Sequence, residues 1–118
     1  MSFNEILKDL SIRSGASGAI MLDHEGEVVA SHSDAPGLDI DLIGVHHGII
    51  LNIIRDASTR SDFKDVDSVS ISTRTTRLAI STLKEGCYLV LAMGRHLPMG
   101  RALFESKRAV KRLEAEMG

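Results

Sequence analysis

Hydrophobic positions change their period several times along these 118 residues, and each change marks an element. Phe3, Ile6, Leu7 and Leu10 fall on one helical face. Ser2 is placed to cap that helix, with Glu5 three residues on as in a capping box, and Gly15 and Gly18 end it. Ser17 to Asp23 reads as a strand whose run Ala19-Ile20-Met21-Leu22 is apolar without alternation, as when both faces are covered. His24-Glu25-Gly26 is a tight turn, and Glu27 to Ser33 returns as the second strand of a hairpin.

Ser33 to Gly37 reads as a loop, with Asp39 placed to cap a helix over about 40–60. Beyond it, Val69 and Ile71 alternate with Ser68, Ser70 and Ser72, the period of a strand over 66–73. Arg74-Thr75-Thr76 is a turn. Strands over 78–84 and 87–93 flank a two-residue turn, Glu85-Gly86. The last strand, Cys87 to Met93, is apolar on both faces and belongs mid-sheet. Pro98 suits the first turn of a closing helix. Met99, Ala102, Leu103, Ser106, Ala109, Val110, Leu113 and Met117 form one face of it, and Arg101, Glu105, Arg108, Arg112 and Glu116 the opposite one. The order is α-β-β-α-β-β-β-α, an α+β fold with a five-stranded antiparallel sheet sandwiched between helices in a single domain over 1–118.

The middle helix carries more apolar surface than one sheet requires. At about 100° per residue, Asp41, Asn52, Arg55, Asp56 and Thr59 gather on one side. The apolar arc from Leu42 to Ala57 spans roughly 200°, about twice the usual width. Gly44 and Gly48 flank that arc near Leu51 and Arg55, and each glycine costs a helix about 1 kcal/mol relative to alanine. Close approach of another backbone would offset the cost. That backbone is either the chain's own sheet or, in the reading favoured here, the same helix of a second copy across a two-fold axis. The Ser-rich strand agrees, because an exposed edge is usually protected and pairing with its own copy would protect it. The expected dimer interface is therefore Gly44, His47, Gly48, Leu51 and Arg55, with Ser68, Ser70 and Ser72.

Composition narrows the function. Aromatic residues are 3% of the chain, with no Trp and one Tyr, so the core is aliphatic and base-stacking platforms for nucleic acid are not expected. A net charge of −2 draws the chain to neither nucleic acid nor an anionic membrane. Cys87 is the single cysteine, which excludes an internal disulfide and a cysteine-cluster metal site. Residues 1–12 carry acids and no signal-peptide apolar block. The longest apolar stretch, near Ile49 to Ile54, is far short of the ~20 residues of a membrane span. A soluble, cytoplasmic protein is the expectation.

Three segments carry a family resemblance. They are Gly18 to Ala30, with its Asp23-His24-Glu25-Gly26-Glu27 turn; Tyr88-Leu89-Val90-Leu91-Ala92-Met93-Gly94; and Gly100-Arg101-Ala102 leading into Lys107 to Leu113. In this order and spacing the chain resembles the roadblock/dynein-light-chain domains and their MglB-like bacterial regulators, over nearly its whole length. The resemblance implies a profilin-like fold, a homodimer with a continuous sheet and paired middle helices, and a platform for a Ras-like small GTPase. It implies no catalytic residues and no cofactor. On this chain the partner face would be drawn from Asp41, Val45, Gly48, Asn52 and Arg55. A small-ligand sensor of PAS- or profilin-like architecture, and a structural dimer in a motor or polarity assembly, are the alternatives.

Other chemistry finds little footing. His46 and His47 are adjacent and point about 100° apart, and neither has a histidine at i+4, so a metal site is not expected. Gly94 to Gly100 lacks the Lys-Ser/Thr of a phosphate loop, and Gly15-Ala16-Ser17-Gly18 precedes a strand instead of a helix. No Gly-x-Ser-x-Gly elbow occurs. Lys107, Arg108, Lys111 and Arg112 read as a solvated basic face, with contact to an acidic partner as the alternative. Arg74 and Arg77 flank a turn, where an arginine acting in trans on a GTPase competes with an ordinary surface role.

Overall fold

The computed structural model describes residues 2–33, 68–72, 74 and 76–118. The loop after Ser33, the middle helix and every site residue assigned to it, from Asp41 to Arg55, lie outside the described residues.

Helix α1 (Phe3–Ser14) starts where the sequence places it, with Ser2 Oγ accepting from the Glu5 N–H at 3.2 Å. It stops at Gly15, whose φ of 74° is the left-handed conformation glycine adopts without a Cβ penalty. Strands β1 (Gly18–Leu22) and β2 (Val28–Ser33) form the first hairpin, and β3 (Ser68–Ser72), β4 (Thr76–Thr82) and β5 (Tyr88–Gly94) complete the sheet. Helix α2 (Met99–Met117) closes the chain after Pro98. Against the sequence expectation, β4 begins at Thr76, because its first residue pairs with Gly94 across the extended end of β5.

The sheet order is β2-β1-β5-β4-β3, antiparallel throughout. The two-sided apolar run therefore sits at the centre. Strand β5 has Leu89, Leu91 and Met93 on one face and Tyr88, Val90 and Ala92 on the other, all buried. The first face, with Ala19, Met21 and Ala79, packs against Ile6, Leu7 and Leu10 of α1 and Ala102, Ala109 and Leu113 of α2. The second face gathers Ile20, Leu22, Leu78 and Ile80, with Val69 and Ile71 packed against them. No residue of α1 or α2 belongs to that second cluster.

Helices α1 and α2 pack against each other on the first face, and Ser11 and Ser106 are buried within it. An ionic contact ties the helices at their rim. Asp9 Oδ2 accepts from Arg112 Nη1 at 2.6 Å and from Arg13 Nε at 2.9 Å. At the first hairpin, Asp23 Oδ1 accepts from the N–H groups of Glu25 and Glu27, both at 2.9 Å, so one carboxylate organises the turn.

Both carboxylates are more acidic in the folded chain than an ordinary aspartate near 3.8. The Arg112 hydrogen bond is the main cause at Asp9, and the Glu27 N–H at Asp23. A depressed folded value means that the folded state binds fewer protons. Their stabilisation is therefore complete above the ordinary value and is lost as pH falls through the folded one. The urea midpoint is expected to hold from neutral pH to about 5 and to fall below about 4. Asp9→Asn should start lower and fall less steeply; an identical slope in the variant would remove Asp9 from the explanation.

Candidate functional site

Strand β3 is the last strand of the sheet, and the alternation read from the sequence is its actual geometry. Val69 pairs with Ile80 and Ile71 with Leu78, which puts both apolar residues on the second face. Ser68, Ser70 and Ser72 pair with Ser81, Ala79 and Arg77 and lie exposed on the helix side. The register is pinned, because a slip of one residue would exchange the serines for the buried pair. Among the described residues the outer edge of β3 has no neighbour in the sheet order, and an open strand edge invites a further strand.

The opposite edge is treated differently. Helix α1 packs against β2 as well as β1, and a register shift between Met21 and Leu22 interrupts the β1–β2 ladder. Helix α2 packs instead mainly over β4 and β5. That offset leaves a groove of about 450 Å³ beside α2. Ser68, Ser81 and Thr82 form its floor, and Leu103, Phe104, Lys107, Val110, Lys111 and Glu114 its helical wall.

The basic residues of the closing helix do not form one solvated face. Arg112 turns to Asp9 and Arg101 Nε donates to the Arg13 carbonyl at 2.9 Å, both on the α1 side, while Arg108 lies 3.7 Å from Glu105 of its own helix. Lys107 and Lys111 lie on the other flank, beside an exposed Phe104. A helical wheel alone cannot reveal this division, because it depends on which flank α1 occupies.

Other candidate chemistry is dispersed. His24 and His96 are exposed and His32 is half-buried, and among the described residues no three histidines, cysteines or carboxylates cluster as metal ligands. Cys87 is buried, and burial pushes its thiol up, with Asp23 and Glu85 acting in the same direction. Arg74 is exposed, its carbonyl accepting from Arg95 Nη1 at 3.4 Å, while Arg77 is half-buried on β4. No helix among the described residues is long and apolar enough to cross a membrane.

A five-stranded antiparallel sheet in this order, with the first and last helices together on one face, is the roadblock/LC7 fold. MglB of Myxococcus xanthus superposes with a TM-score of 0.84 over 98% of this chain and 94% of that one, at 12% identity. A structure described as MglB with tetrameric arrangement gives 0.83 over 96% of this chain and 85% of that one, at 20% identity. A roadblock/LC7 domain from Streptomyces avermitilis gives 0.82 over 97% and 96%, at 23% identity. No family model and no curated protein matches the sequence. The resemblance read from the three sequence segments thus holds at the level of the fold.

Proposed function

We propose that the chain is a non-catalytic homodimeric scaffold or regulator that engages a Ras-like small GTPase. The observation that carries the dimer is the open edge of β3, a short pinned strand with exposed serines at the end of an otherwise backed sheet. Pairing β3 with its own copy satisfies both sets of edge groups and joins two sheets into one. The likeness to MglB structures, one of them described as tetrameric, supports self-association. In this reading Gly44, His47, Gly48, Leu51 and Arg55 complete the seam. Asp41, Val45, Asn52 and Arg55 meet the GTPase.

The GTPase half is tested by immobilising the chain and passing over it each Ras-like GTPase of the source genome, loaded with GDP or with a non-hydrolysable GTP analogue. Saturable binding to one of them, stronger in one nucleotide state, is the expected result. A complete absence of binding in both states, to a chain shown to be folded, would leave a dimer with another purpose.

A further inference from the structure

We propose that the groove between α2 and β3 is one half of a two-fold channel, and that the channel seats a single partner helix with acidic flanks. The inference rests on the β3-to-β3 dimer and goes beyond it, because it names a second binding surface and the chemistry of its occupant.

The width of the channel follows from the strand spacing. Neighbouring strands stand about 4.8 Å apart, and α2 packs over β4 and β5. With β3 paired to its copy, the two α2 helices would be separated by about four strand spacings, roughly 19 Å. Packed helix axes are about 8–10 Å apart. One additional helix therefore fits between the two, and a second does not. The serine rows of both β3 strands would lie beneath it, and short side chains let a helix settle closely on the seam.

Charge selects the occupant. Each wall presents Lys107 and Lys111 toward the groove, although the chain as a whole carries −2. Glu114 at the same wall keeps its charge but is held by the Lys84 N–H, which its Oε2 accepts at 2.8 Å, so each wall is left with one net positive charge. Phe104, 60% exposed and one of the few aromatic residues of the chain, gives the wall an apolar anchor. Across the two-fold axis the channel would hold four lysines, two on each side. A helix with carboxylates on both flanks and a small or apolar underside complements that arrangement, and a basic helix is repelled.

The probe is a fluorescent designed peptide of about 20 residues, close to the length of α2. It carries an Ala/Leu stripe with glutamates on both flanks; a second peptide has the same stripe with lysines. In anisotropy titrations the glutamate peptide is expected to saturate at one per two chains, to weaken with salt, and to bind at least about tenfold better than the lysine peptide. The Lys107→Glu/Lys111→Glu variant should reverse that preference while light scattering still reports the wild-type mass. Equal binding of both peptides, one peptide per chain, no binding, or a preference untouched by charge reversal would each overturn the channel. A monomeric wild type would overturn the dimer and the channel together. A dimer that ignores the glutamate peptide removes the channel alone.

Discussion

Leu91→Ala is expected to cost about 3–5 kcal/mol, the upper part of the range for a buried leucine, read as a lowered urea midpoint with an unchanged slope. Leu91 has no solvent exposure and lies in the central strand, facing the helices. Its paired neighbours on that face are Ala19 on β1 and Ala79 on β4. Two alanines cannot reach into the space the leucine leaves, so the cavity persists and its cost adds to the lost burial. Ile12→Ala, at a position 64% exposed on α1, should change stability by no more than about 0.5 kcal/mol. If the two variants unfold alike, the sheet centre is not where the core resides.

Gly86→Ala should be the next most damaging, at about 1–2 kcal/mol for the backbone conformation alone. Glu85 and Gly86 connect β4 to β5 with φ values of 63° and 74°, the two positive values of a type I′ turn. A Cβ on Gly86 would also stand 3.0 Å from the His24 Cβ, an atom bonded to backbone that cannot swing aside. Glu85 occupies the other left-handed position at a penalty, so Glu85→Asn should stabilise by up to about 1 kcal/mol. The opposite signs at adjacent residues are the signature of the turn. A stabilising Gly86→Ala would mean that the hairpin takes another conformation in solution.

Much of this architecture is written locally. A helix capped by Ser2 and ended by Gly15, a central strand with apolar residues at every position, and an edge strand alternating serine with Val69 and Ile71 each follow from spacing within a few residues. The details that escaped are set by distant parts of the chain. Asp9 and Arg112 are 103 residues apart and meet only because α1 and α2 share one face. The same packing decides that Arg101 and Arg112 turn toward α1 while Lys107 and Lys111 border the groove. Asp23 closes a strand as readily as it organises a turn, so its two backbone hydrogen bonds had no distinctive signal. Of the interface residues expected from sequence, the three serines are exposed on β3, which leaves their role in a seam open, and those of the middle helix lie outside the described residues.

The most direct measurement is the solution mass by light scattering of the chain and of Ser70→Lys. Ser70 is the middle residue of β3, so a centred antiparallel pairing sets it opposite its own copy. Two lysines there would repel each other, while the exposed position leaves the fold of each chain intact. A wild-type mass near twice 12.8 kDa, falling to 12.8 kDa in a Ser70→Lys chain with unchanged circular dichroism, is the expected result. A wild type at 12.8 kDa, or a dimer that Ser70→Lys does not disturb, would contradict the β3 seam.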